Sequence, residues 1–136
     1  MPRALNILLV EDDAIEIMKF NRVVSHLKIR HKITEARNGE EALNILKDRE
    51  ANPDIIILDL NMPKVSGIEF LKIIKEDNAR KNIPTIILTT SSNHSDIKQC
   101  YQMGIAGYVL KPLKHDDYMA STTKLVEYWS NNELVS

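Results

Sequence analysis

Four short apolar runs and one alternating run, each followed by a segment with helical spacing, leave this chain very few architectures. Leu5 to Val10 (LNILLV), Ile55 to Leu58 (IIIL), Thr85 to Leu88 (TIIL) and Tyr108 to Leu110 (YVL) are mostly continuous rather than alternating. Continuous apolarity belongs to strands covered on both faces, as in a parallel sheet. His31 to Ala36 (HKITEA) alternates polar with apolar residues and fits a sheet edge. Between the runs, Ala14, Ile17, Met18, Val24 and Leu27 make one helical stripe, opened by Asp13 and Glu16 in capping-box spacing. Asn38 with Glu41 opens a second helix, and Ser66 with Glu69 a third that carries Leu71 and Ile74. A fourth helix is expected over about Asp96 to Met103, stopping at Gly104. A fifth places Tyr118, Thr122, Leu125, Val126 and Trp129 on one side. Parallel strands need crossover helices, and crossovers are right-handed. The alternation βαβαβαβαβα therefore predicts an open, doubly wound parallel sheet of the α/β class with helices on both faces.

With 136 residues the expectation is a single domain over 1–136, its core spanning about 5–129, with no output domain. The net charge of -1 and the lack of a basic stripe speak against direct nucleic-acid binding. No apolar run is long enough to span a bilayer, and MPRALN lacks the apolar region of a signal peptide. Cys100 is the only cysteine, which excludes a disulfide framework, and it reads as a packing residue on the fourth helix. Together these features predict a cytoplasmic protein.

Polar residues follow four of the runs. Glu11, Asp12 and Asp13 come after the first, Asp59 with LNMP after the third, Thr89 and Thr90 after the fourth, and Lys111 with Pro112 after the fifth. In doubly wound sheets ligands bind outside the carboxyl ends of the strands, so all of these residues are expected at one rim. Two carboxylates about 4 Å apart repel by roughly 4 kcal/mol at an effective dielectric near 20. Glu11, Asp12 and Asp59 together therefore need a proton or a bound cation, with Lys111 offsetting part of the charge. An all-oxygen site open to solvent suits Mg²⁺, or Mn²⁺ in its place. His26, His31, His94 and His115 show no ligand spacing and read as surface residues. A carboxylate, a divalent cation, a lysine and a hydroxyl are the parts that move a phosphoryl group, with Asp59 as nucleophile.

ILLVEDD, DLNMPKVSG and TT…GIAGYVLKP, in this order and spacing, resemble the receiver domain of two-component response regulators over about Leu5 to Trp129. The long charged stretch Lys75 to Pro84 resembles stand-alone receivers that serve bacteriophytochromes. The resemblance implies a flavodoxin-like (βα)5 sheet in the order 2-1-3-4-5, the order that flavodoxin and the chemotaxis receiver share. It implies that Asp59 accepts a phosphoryl group from a histidine kinase or a histidine phosphotransfer protein. It further implies that Asp12 binds Mg²⁺ directly, Glu11 through water and Asn61 through its backbone carbonyl. Thr89 would bond a phosphoryl oxygen, Lys111 would pair with the phosphoryl group, and Tyr108 would turn inward as a switch. Pro63 and Gly67 would shape the loop beyond Asp59, and Lys111–Pro112 would be a cis peptide. Asn61 and Ser91 stand where receivers tune dephosphorylation. An unknown downstream protein, or a homodimer, would use the surface of helix 4, strand 5 and helix 5. Such a protein is a switch rather than an enzyme, with only self-catalysed phosphoryl acceptance and slow autodephosphorylation.

Three other readings compete. A haloacid-dehalogenase-type hydrolase also uses a strand-end aspartate with Mg²⁺, but it wants a second aspartate where this chain has Asn61. A flavin-binding module needs a phosphate-cradling loop after the first strand, where this chain has the repelling EDD. A receiver-like module that is never phosphorylated would have no need of the intact acidic set.

Overall fold

Every expected element forms. The computed structural model describes residues 2–48, 50–62 and 64–134. In chain order these are β1 Asn6–Val10, α1 Ala14–Ser25, β2 Lys32–Ala36, α2 Gly39–Lys47, β3 Ile55–Leu58, α3 Gly67–Glu76, β4 Thr85–Thr89, α4 His94–Gln102, β5 Gly107–Leu110 and α5 His115–Ser130. The strands are all parallel, in the order β2-β1-β3-β4-β5.

Alternate residues of the central strands face opposite sides, which is why their apolarity is continuous. Leu8, Val10, Ile56, Leu58 and Ile87 pack with Phe70, Leu71 and Ile74 of α3, Ala42 and Leu46 of α2, and Cys100 of α4. Ile7, Leu9, Ile55, Ile57, Ile86 and Leu88 pack on the other side with Ile17, Phe20 and Val24 of α1 and Leu125 and Val126 of α5. Each fully buried Leu, Ile or Phe contributes roughly 1.5–3 kcal/mol, so these two layers hold the sheet rigid beneath its rim.

The helix starts follow their caps. Asp13 accepts from the Ile15 N–H (2.9 Å), Asn38 from Glu41 (2.8 Å) and Ser66 from Glu69 (3.2 Å). α4 begins at His94, two residues earlier than expected, because Asn93 accepts from both Ser95 (2.8 Å) and Asp96 (3.2 Å). Gly67 admits no side chain: a Cβ there would stand 2.6 Å from the Asp59 carbonyl oxygen and 2.6 Å from Leu60 Cα. That close approach seats α3 directly against the end of β3.

Several expectations are corrected. Met18 is 53% exposed; the buried stripe of α1 is Ile17, Phe20, Val23 and Val24, and Met18 lies about 100° round the helix from Ile17. His31 is not a free surface residue, since its Nδ1 accepts the Leu5 N–H at 2.9 Å. The expected cis bond at Lys111–Pro112 is trans, and no cis peptide occurs among the described residues. Trans is the favoured form of an X–Pro bond by about 0.5–1 kcal/mol, and Lys111 reaches the pocket without the cis form. Pro63, expected to shape the loop after β3, lies outside the described residues.

Candidate functional site

Strand register builds the site. Val10 of β1 pairs with Leu58 of β3, so Glu11 and Asp59 leave the sheet at the same level. Their backbones are held there: the Asp59 N–H donates to the Val10 carbonyl (3.0 Å) and the Glu11 N–H to the Ala36 carbonyl (2.9 Å). This is the place where strand order reverses, with β2 on one side of β1 and β3 on the other. Carboxylate oxygens of Glu11, Asp12 and Asp59 lie within 4.8 Å of one another, Glu11 and Asp59 buried and Asp12 more open.

Thr89 and Lys111 enter from the neighbouring strands. Thr89 pairs with Leu110, and the Lys111 N–H donates to the Thr89 carbonyl (2.8 Å), so the two residues are mounted together. Lys111 Nζ lies 2.5 Å from Glu11 Oε1, 3.9 Å from Asp59 Oδ2 and 4.0 Å from Glu16 Oε2. Burial pushes the Glu11 carboxyl up to about 7, with the nearby Asp59 charge adding to the rise and Lys111 opposing it. Lys111 is raised despite its burial, because Glu11, Asp59 and Glu16 all favour the charged ammonium.

Three clustered carboxylates, two of them beside one ammonium, form a donor set suited to a hard divalent cation. It is all oxygen, crowded, and charged beyond what Lys111 offsets. Glu11, Asp12 and Asp59 fit that role. Asn61 lies beside them, its N–H donating to Asp59 Oδ1 at 3.4 Å.

A second chain of contacts leads away from the pocket. Thr89 is buried, and its Oγ1 accepts the Ser91 N–H at 3.3 Å. The Ser91 carbonyl accepts the half-buried Tyr108 hydroxyl at 2.8 Å. Ser91 Oγ also donates to Asp96 Oδ2 of α4 (3.3 Å). Burial raises the Tyr108 hydroxyl pKa, so it stays protonated and donates. Cys100 is buried in the core, and its thiol is pushed up to about 11, chiefly by burial.

Sequence reasoning missed Glu16. Its spacing from Asp13 suggested a capping box, in which it would bond back to the Asp13 N–H. Instead Glu11 Oε2 takes that N–H at 3.2 Å. Glu16 is left facing Lys111, with Lys19 Nζ 3.5 Å away on its other flank. The available signal was its place in the first turn of α1, just after the acidic residues that follow β1.

The family model described as "Response regulator receiver domain" matches residues 7–123. The chain is 35% identical over 127 residues to the probable methanogenesis regulatory protein FilR2 of Methanothrix harundinacea, covering 90% of this chain and 82% of that protein. It is 31% identical over 128 residues to the response regulator Rcp1 of Synechocystis, covering 90% and 87%. Among solved structures it superposes on the phosphorylated cyanobacterial phytochrome response regulator RcpA with a TM-score of 0.91 at 32% identity, covering 98% of this chain and 99% of that one. The Mn²⁺-bound form of Rcp1 matches with a TM-score of 0.91 at 30% identity, covering 97% and 99%.

Proposed function

This chain belongs to the response regulator receiver family, and from that premise we propose that Asp59 accepts a phosphoryl group from a histidine kinase or a histidine phosphotransfer protein. The observation that carries this reading is the meeting of Glu11, Asp12 and Asp59 within 4.8 Å, beside the ammonium of Lys111. Receivers are regulatory modules of two-component signalling rather than enzymes with a turnover substrate.

In the proposed reaction an Asp59 carboxylate oxygen bonds to phosphorus as the phosphorus–nitrogen bond of the donor phosphohistidine breaks, and the departing imidazole keeps the electron pair and takes up a proton. A divalent cation, Mg²⁺ in this reading, supplies neutralisation of the charge gathered at Asp59 and on the transferring oxygens. Glu11, Asp12, Asp59 and the Asn61 carbonyl would hold it. The Mn²⁺-bound Rcp1 structure supports a divalent site in a relative. Lys111 offers ammonium protons to the phosphoryl oxygens from its place 3.9 Å from Asp59. Thr89 Oγ1 accepts from Ser91 and still has its own proton to donate.

Movement of Thr89 toward the phosphoryl group would draw on its bond to Ser91, and Ser91 holds the Tyr108 hydroxyl. Tyr108 thereby reads out the state of Asp59 to the face formed by α4, β5 and α5. That face presents Tyr101, Leu110 and the 99% exposed Leu113 to a downstream protein or a second copy of the chain. Phosphorylation shifts this face only as far as it favours one conformation, about tenfold per 1.4 kcal/mol. Slow self-catalysed hydrolysis would reset it, in the cytoplasm where such kinases present their phosphohistidine.

The test is intact mass after incubation with acetyl phosphate and Mg²⁺. Wild type should gain one phosphoryl group and Asp59→Asn none. Equal labelling of the two proteins would remove Asp59 from this role.

A further inference from the structure

Glu16 has an unusual setting for a carboxylate in the first turn of a helix. Its Oε2 is buried and accepts no hydrogen bond, yet it lies between two ammonium groups, 3.5 Å from Lys19 Nζ and 4.0 Å from Lys111 Nζ. A buried acceptor left without a donor is unfavourable, so this oxygen has affinity for a proton donor that moves toward it. Lys19 is fixed from its far side, its Nζ 4.3 Å above the ring centre of the buried Tyr118. Lys111 is the other candidate. Of its three ammonium protons, one goes to Glu11 and the others make no hydrogen bond. Glu11, Glu16, Asp59, Lys111, Phe20 and Tyr118 line one small cavity, so both glutamate carboxylates face the same ammonium.

We propose that Glu16 is a positioning residue for Lys111, its buried oxygen being the second seat of the ammonium when Glu11 turns to a cation. This rests on the phosphoacceptor reading of Asp59. A cation held by Glu11, Asp12 and Asp59 competes with Lys111 for the Glu11 oxygen. Glu16 then helps the cation in, by receiving the displaced ammonium and by its own charge. The same attraction draws Lys111 away from an anion on Asp59. Glu16 thus acts with opposite sign on the two ligands of the pocket, which loss of packing alone would not do.

The test measures both ligands on the intact chain. Mg²⁺ alone is titrated by calorimetry, and beryllium fluoride, a tetrahedral anion of phosphoryl shape, is titrated at saturating Mg²⁺ by fluorine NMR. For Glu16→Gln the Mg²⁺ dissociation constant should rise about three- to tenfold and that of beryllium fluoride should fall by a similar factor, as expected for one screened unit charge beside Lys111. Glu16→Asp, which keeps the charge, should restore Mg²⁺ binding toward the wild-type value. Lys19→Met, which leaves Lys111 as the only cation near Glu16 among the described residues, should weaken beryllium fluoride binding; it carries the test on its own should Glu16→Gln fail to fold. With wild type binding both probes, constants that stay put or move in the same direction in Glu16→Gln, or an unchanged beryllium fluoride constant in Lys19→Met, overturn the role of Glu16 and leave the phosphoacceptor reading standing. Wild type that binds neither probe overturns both.

Discussion

Cation affinity of the pocket should be strongly pH-dependent, because the buried Glu11 carboxyl titrates at about 7. Only ionised Glu11 serves a cation. At pH 8 about nine-tenths of Glu11 is ionised, at pH 7 about half and at pH 6 about a tenth, so the apparent Mg²⁺ dissociation constant should rise about tenfold for each unit below 7 and level off above it. Binding at pH 6 should release nearly one proton and at pH 8 almost none. Calorimetry in two buffers of different ionisation enthalpy measures that release directly. Stability runs the other way. Folded Glu11 holds its proton above the unfolded value of 4.5, so its contribution to metal-free stability is full below about 4.5 and is lost as pH rises through about 7. The metal-free melting temperature should therefore gain less, or fall, between pH 5.5 and 8, and saturating Mg²⁺ should reverse that trend. A dissociation constant that is flat from pH 5.5 to 8, with no proton release, would refute the assignment of Glu11 to the cation site.

Phe70→Ala should cost about 3–5 kcal/mol in chemical denaturation, since Phe70 is fully buried between α3 and the sheet. Asn93→Ala removes the acceptor for two N–H groups at the start of α4 and should cost about 1 kcal/mol, with amide exchange of Ser95 and Asp96 rising before that of α5. Tyr108→Phe loses the bond to the Ser91 carbonyl, about 1 kcal/mol, and should leave phosphoryl labelling by acetyl phosphate intact while altering NMR shifts in α4 on labelling. Gly67→Ala drives a Cβ into the Asp59 carbonyl and Leu60, and should both lower stability by about 1–3 kcal/mol and slow labelling of Asp59.

The sheet was legible because strands buried on both faces leave an unbroken apolar record, as at Ile55 to Leu58. The rim was legible because Glu11, Asp59, Thr89 and Lys111 each stand at or just beyond a strand's last residue, where chain order alone predicts their neighbourhood. Side-chain partnership was less visible. The spacing of Asp13 and Glu16 is that of a capping box, and only the third dimension shows Glu11 occupying the Asp13 N–H. Met18 is apolar and sits beside Ile17, so membership of the stripe turned on a helical phase that depends on where α1 begins. His31 looked like a surface residue because its partner, the Leu5 backbone, is distant along the chain. Peptide geometry at Pro112 is a matter of tertiary context, and the bond is trans.

The pairing of Val10 with Leu58 carries a cost for any change in length. Deleting one residue inside β3 would preserve its oily composition, yet it would rotate every later side chain of that strand to the opposite surface. Asp59 would then be carried off the level of Glu11, while the hairpin-free crossover to α3 could absorb the missing length without strain elsewhere. Lengthening the connection between α3 and β4 does nothing of the kind. Insertions and deletions should accordingly be silent at the base of this molecule and disabling within its ladders.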